Sequence, residues 1–80
     1  MYTVYILKSL KDGTYYKGST SDCESRLKSH NAGKVRSTKS CRPWILHYSE
    51  SFLTRKEAIK REHFFKSYEG YLWLKSNGIL

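Results

Sequence analysis

Tyr5, Tyr16, Arg26 and Glu62 are the residues whose types and spacing invite a chemical reading. They offer two phenols beside an attacking water, a forked guanidinium for a phosphate and a carboxylate for a metal. That is a kit for breaking a phosphodiester. The tyrosines lie eleven positions apart, in the tripeptides Thr3-Val4-Tyr5 and Tyr16-Lys17-Gly18. Arg26 follows ten residues after Tyr16, and Glu62 lies far downstream. Each residue also has a plainer reading. A lone tyrosine is commonly a core aromatic, an arginine commonly rides the solvated face of a helix, and a buried glutamate commonly pairs with a nearby cation.

The surrounding elements must bring these groups together. Residues 2–9 are β-branched and aromatic at both alternating sets of positions, which predicts a strand covered on both faces. Asp12-Gly13 signals a hairpin turn, with a return strand over 14–19. A two-residue turn sets Ser9 opposite Tyr16 and Leu10 opposite Tyr15. Tyr5 and Tyr16 then share a sheet face but sit roughly 13 Å apart along it, a gap that twist or a bulge must narrow.

Ser21-Asp22-Cys23-Glu24 fits a capping box and opens a helix. Cys23, Leu27 and His30 form its apolar stripe, and Arg26 and His30 are one turn apart. Asn31-Ala32-Gly33 ends the helix with a glycine cap. Residues 34–43 read as a basic loop, and 44–51 as a third strand. Thr54-Arg55-Lys56-Glu57 is a second capping box, opening a helix to about Ser67. Ala58, Ile59, Glu62, Phe65 and Lys66 cluster on one face of it, so Glu62 sits among apolar neighbours, where a carboxylate needs a partner. Gly70 reads as a helix breaker, followed by a short helix over 71–76. The expectation is an α+β chain: a three-stranded antiparallel sheet flanked by two main helices and a short C-terminal helix, residues 1–80 forming one domain.

The formal charge is +8, which draws polyanions and releases counterions from phosphates. Between Ser25 and Ser49 there is no Asp or Glu, while Arg26, Lys28, Lys34, Arg36, Lys39 and Arg42 fall there. Lys34, Arg36, Lys39 and Arg42 form either a solvated loop or, as the chemistry favours, a phosphate-tracking surface. No long apolar run or export signal is present, so no membrane partner is expected. Cys23 and Cys41 lack metal-ligand spacing and read as reduced thiols in a cytoplasmic protein.

The chemistry of Glu62 suits one Mg²⁺ or Mn²⁺, which keeps most of its waters and takes phosphate oxygens as further ligands. Its alternative is an ion pair with a neighbour such as Lys66, which could equally touch DNA. His30 titrates in the physiological range and could relay a proton, contact phosphate or be structural. His47 and His63 read as structural or surface residues.

The ordered run TVYIL, YYKGSTSDCESRLKSHNAGK, RPWILHYSESF and TRKEAIKREHFFKS resembles the GIY-YIG nuclease superfamily in its small stand-alone form. Within it, the likeness is to the N-terminal domain of the excision-repair incision endonuclease. Thr3 and Val4 replace Gly and Ile of the first tripeptide, and Lys17 replaces the middle Ile of the second. The resemblance implies a metal-dependent endonuclease acting on DNA, in repair or recombination. It makes Tyr16 the general base, Arg26 the holder of the scissile phosphate and Glu62 the metal ligand. Some members place Lys where Ser19 stands, as an activator of the phenol; Lys17, His30 or a metal-bound water could take that part. Many members carry an added DNA-binding domain that these residues lack, which points to a protein partner for specificity. The alternatives are a nucleic-acid-binding module with weak or no nuclease activity, and an adaptor with a vestigial site.

Overall fold

A computed structural model describes all 80 residues. Its strands are β1 (Tyr2–Ser9), β2 (Tyr15–Thr20) and β3 (Trp44–Phe52), arranged antiparallel in the order β2–β1–β3. The helices are α1 (Cys23–Asn31), α2 (Arg55–Phe65) and α3 (Tyr68–Ser76). The expected α+β architecture is therefore observed.

The central strand is buried on both faces, as its uninterrupted apolar pattern requires. Val4 and Ile6 pack with Ala58 and Phe65 of α2 and Leu74 of α3. Tyr5 and Leu7 point the other way, into a cluster with Trp44, flanked by Tyr16, Cys23, Leu27 and Cys41. Each large apolar side chain buried this way contributes about 1.5–3 kcal/mol.

The hairpin departs from the two-residue turn. Leu10–Thr14 form a five-residue connection. Ser9, 1% exposed, organises it. Its hydroxyl accepts from the Lys11 and Asp12 amides at 3.1 and 3.2 Å and donates to the Cys41 carbonyl at 2.6 Å. Gly13 supplies the left-handed residue, with φ +75°. This turn moves the register by two, so Lys8 faces Tyr15, Leu7 faces Tyr16 and Tyr5 faces Gly18.

A bulge does occur, but against β3. Ile6 pairs with Tyr48 and Leu7 with Leu46, leaving His47 as the extra residue. Trp44 therefore packs on the Tyr5 side of the sheet, whereas Tyr48 and Phe52 pack on the Val4 side. One extra residue reverses the face of every later side chain, which explains why β3 alternates only weakly in sequence.

The helix starts correct two boundaries and keep a third. Asp22 caps α1, accepting from the Ser25 amide at 3.1 Å. Thr54 caps α2 with its box partner Glu57, as expected. Gly70 does not break a helix; Ser67 does, by capping α3 through the Gly70 amide at 3.1 Å. Gly70 is instead buried inside α3, where a Cβ would lie 1.7 Å from the Phe64 carbonyl oxygen. Only glycine lets the two helices meet this closely. Residues 36–41 of the basic loop form a 3₁₀ helix rather than irregular chain.

Candidate active site

The corrected register brings the two tyrosines together. Tyr5 opposes Gly18 and Tyr16 opposes Leu7, so the phenols share a face two positions apart, with ring centroids separated by 6.4 Å. Gly18 matters here for its missing side chain. A Cβ there would fall 2.6 Å from the Tyr5 hydroxyl. The phenol lies directly over the backbone of β2.

Helix α1 covers this face and brings Arg26 and His30. His30 is fully buried, with its ring 4.9 Å from that of Tyr16 and 6.0 Å from that of Tyr5. Its Nε2 is 3.2 Å from the Tyr5 hydroxyl, and its Nδ1 is 2.8 Å from Thr38 Oγ1. Arg26 is exposed and approaches the Tyr5 and Tyr16 hydroxyls, yet forms no hydrogen bond of good geometry with either. It has no carboxylate partner; the ion pairs are Lys28–Glu24, Arg61–Glu50 and Lys66–Glu62. Its guanidinium fork is thus free for an incoming anion.

Burial shifts both proton-bearing groups toward neutrality. It pushes the Tyr5 phenol above its ordinary value, with Arg26 partly opposing. It pushes His30 down, and the charge of Arg26 adds to this. At neutral pH the pair is a protonated phenol against a neutral imidazole.

Glu62 stands apart from this cluster. It reaches β2 from the α2 side, where Ser19 Oγ donates to its Oε1 at 2.6 Å and Lys66 Nζ to its Oε2 at 2.6 Å. Ser19 opposes Val4 in the register, so it faces α2 while its neighbour Gly18 lies beneath Tyr5. No hydrogen bond joins Glu62 to Tyr5, Tyr16, Arg26 or His30. Burial pushes the Glu62 carboxyl up, but the hydrogen bonds from Lys66 and Ser19 outweigh it and hold the group below its ordinary value. Lys17 shares this side of β2; burial, then the charge of Lys66, push its pKa down.

The donor set around Glu62 is one carboxylate, with no cluster of three His, Cys, Asp or Glu side chains anywhere. It fits a hard divalent ion that retains its waters, rather than one needing an all-protein cage. A cavity of about 340 Å³, lined in part by Ser19, Thr20, Ser21 and Arg55, opens beside it.

Lys34, Arg36, Lys39 and Arg42 carry no ion pair, and Arg36, Lys39 and Arg42 belong to the segment that leads from the 3₁₀ helix into β3. The Arg42 guanidinium lies over Gly33 and donates through Nε to the Lys39 carbonyl at 2.9 Å. Lys39 and Arg42 line an open pocket of about 430 Å³ with Asn31, Ser40 and Lys11. Lys11 was not among the sequence candidates. It comes from the hairpin turn and is held by the Ser40 carbonyl at 2.9 Å. Ser19 as the partner of Glu62 was missed too, as was Thr38 behind His30. None of these carries a periodic signal. Trp44 and Trp73 pack with the apolar clusters.

The GIY-YIG catalytic domain model matches residues 1–73. A UPF0213 protein of Staphylococcus haemolyticus is 42% identical over 73 residues, covering 90% of this chain and 88% of that one. A UPF0213 protein of Bacillus licheniformis is 46% identical over 63 residues, and there the alignment covers 78% of this chain but only 64% of the relative. The solution NMR structure of the UPF0213 protein of Bacillus halodurans superposes with a TM-score of 0.54 at 35% identity, over 95% of this chain and 84% of that one. Tripeptides, sheet order and relatives agree: this chain belongs to the GIY-YIG nuclease family.

Proposed function

We propose that this chain is a single-domain endonuclease that hydrolyses DNA phosphodiester bonds with one Mg²⁺ or Mn²⁺, acting in the cytoplasm in repair or recombination. The observation that carries the reading is Arg26. It is a guanidinium without a carboxylate partner, set against two phenols and a buried neutral histidine. Such an unpaired guanidinium attracts an anion, and its fork favours a phosphate.

In this mechanism a phosphate sits astride the edge of β2, with Arg26 on one side and Glu62 on the other. Tyr16 orients the attacking water. The water gives its proton to the Tyr5 hydroxyl as that hydroxyl passes its own proton to His30 Nε2. The 3.2 Å Tyr5–His30 contact favours this path, and Tyr16 serves as a positioner rather than the terminal base. Arg26 neutralises charge that grows on the phosphate oxygens. Glu62 would hold the metal, oriented by Ser19, after Lys66 releases its second oxygen. When bound, the ion supplies charge neutralisation at the phosphate and the departing oxygen. Lys11, Lys34, Arg36, Lys39 and Arg42 track flanking phosphates, with Lys17 and Lys66 closer to the cut. No helix is long and apolar enough to cross a membrane. The free thiols Cys23 and Cys41 suit a reducing compartment. A partner protein supplies target specificity.

One observation favours the rival, a nucleic-acid-binding module without turnover: Lys66 already occupies the Glu62 carboxylate. The deciding experiment incubates the protein with branched, flapped, single-stranded and duplex DNA, and with RNA counterparts, with and without Mg²⁺ or Mn²⁺. Metal-dependent cleavage is expected, abolished by Glu62→Gln with binding retained. Arg26→Lys keeps the charge but loses the fork, and cleavage should fall by about 10²-fold. Binding without cleavage under every condition would transfer the assignment to the rival.

A further inference from the structure

Thr38 lies inside the basic 3₁₀ segment, yet it is 1% exposed and its hydroxyl touches the buried imidazole of His30. The residue has a polar duty that packing alone does not require. Its Oγ1 has two partners: His30 Nδ1 at 2.8 Å and the Val35 carbonyl at 3.3 Å. A carbonyl oxygen only accepts, so the Val35 contact is a hydrogen bond when the single hydroxyl proton of Thr38 is directed at it. The oxygen of Thr38 is then an acceptor toward Nδ1. A neutral imidazole carries one N–H. If that proton is on Nδ1, Nε2 is bare and accepts from the Tyr5 hydroxyl.

We infer that Thr38 is a positioning residue that locks His30 in its Nδ1–H tautomer and so makes Nε2 the acceptor for the proton of Tyr5. The opposite tautomer would strip the Val35 carbonyl of its Thr38 hydroxyl bond and turn Nε2 into a donor. Tyr5 would then have nowhere to send its proton. The backbone of Thr38 is fixed from both sides. Its amide donates to the Val35 carbonyl at 3.1 Å, and the Trp44 indole donates to its carbonyl at 3.0 Å. Asn31 clamps Trp44 in turn through the Trp44 amide and carbonyl, at 2.6 and 2.9 Å. The segment carrying Arg36 and Lys39 is thus joined directly to the proton acceptor.

The catalytic meaning of this lock rests on the nuclease reading above, but the tautomer itself does not. In the reaction, the water oxygen forms the new bond to phosphorus. Its proton goes to Tyr5, the Tyr5 proton goes to His30 Nε2, and the 3′ oxygen leaves with the electron pair of the broken bond and takes a proton from solvent. The resulting imidazolium later returns its proton to solvent through Tyr5. The titratable or charged groups facing His30 are Tyr5 from β1, Tyr16 from β2 and Arg26 from α1, with Cys23 and Cys41 at the margin of the cluster. The 3₁₀ segment and β3 present Thr38 and Trp44, which do not titrate.

The test is ¹⁵N NMR of the histidine rings in the free protein, which needs no turnover. Wild type should show His30 as Nδ1–H, and Thr38→Val should convert it to Nε2–H or a mixture. Thr38→Ser, which restores a hydroxyl, should restore Nδ1–H. Single-turnover cleavage should fall by roughly 10²-fold in Thr38→Val and recover in Thr38→Ser, with DNA affinity unchanged. A wild-type Nε2–H ring overturns the inference, as does a Thr38→Val ring with an unaltered tautomer. If Thr38→Val does not fold, the wild-type and Thr38→Ser rings decide. A correct tautomer in a protein that cleaves nothing upholds the lock and refutes the nuclease reading.

Discussion

Replacing Gly18 with alanine adds one methyl group to β2 at the point where Tyr5 crosses it. Gly18 is not among the glycines with positive φ, so alanine fits the backbone and the cost is steric. The new Cβ would lie 2.6 Å from Tyr5 Oη and 2.8 Å from Tyr5 Cζ. Ordinary contact begins near 3.4 Å, so the phenol must retreat by about 0.8 Å. Tyr5 is 2% exposed and packed against Leu7 and Trp44, which limits that retreat. Its bond to His30, at 3.2 Å, is already at the long end of the useful range and is the contact that gives way. Overpacking should cost about 1–3 kcal/mol, offset in part by about 0.5–1 kcal/mol from replacing a strand glycine. The net loss, up to about 2.5 kcal/mol, lowers Tm by up to about 20 °C in a domain of this size. A displacement near 1 Å in a reacting group costs on the order of 10²-fold in rate. Thermal melts, single-turnover cleavage and DNA affinity should be measured together. Lower Tm, slower cleavage and unchanged affinity are expected, because the exposed cations are untouched. A variant indistinguishable from wild type in Tm and rate would refute the placement of the Tyr5 hydroxyl over Gly18.

Replacing Lys34, Arg36, Lys39 and Arg42 together should flatten the log–log dependence of DNA affinity on salt by roughly 3–4 units, since each phosphate left without its cation keeps about one condensed counterion. An unchanged slope would mean that the loop is merely solvated. Acid should also expose the role of Glu50. Burial pushes its carboxyl up, but bonds from Arg61 and Tyr48 and the charge of Arg61 hold it below its ordinary value. A depressed carboxyl stabilises the fold above its unfolded pKa of roughly 4.3, and that contribution is lost as pH falls through the lower folded value. Denaturant midpoints followed from pH 7 into that range should drop more steeply in wild type than in Glu50→Gln. Parallel curves would show that Arg61 is held by its stacking on Phe64, Phe65 and Trp73, at 4.5–4.8 Å, and not by the ion pair.

Local signals in the sequence placed most of the elements. The apolar run of β1, the cap at Thr54 and the stripe of Cys23, Leu27 and His30 depend on residues within a few positions of one another. That is the range over which backbone geometry alone sets which side chains are neighbours. The placing of Arg26 and His30 together was legible for the same reason, since they are one helical turn apart whatever the rest of the chain does. Gly70 misled because a glycine is read as a breaker until something is seen to pack against it.

Distant contacts decided the rest. The separation of the two tyrosines depended on Ser9, whose hydroxyl binds its own turn and the Cys41 carbonyl, and so set a five-residue connection in place of two. The reversal of faces in β3 depended on one bulged residue, His47. The partners of the polar side chains were decided last: Ser19 for Glu62, 43 positions away, and Thr38 for His30, which the 3₁₀ helix folds back onto α1. Many hydroxyls along the chain could have served each role, and their types are identical in sequence. By itself the sequence determined the strands, most of the helices and which side chains they carry. Only the packed structure selected the hydroxyl that meets each buried ionisable group, because burial removes water as the competing partner and leaves the choice to geometry.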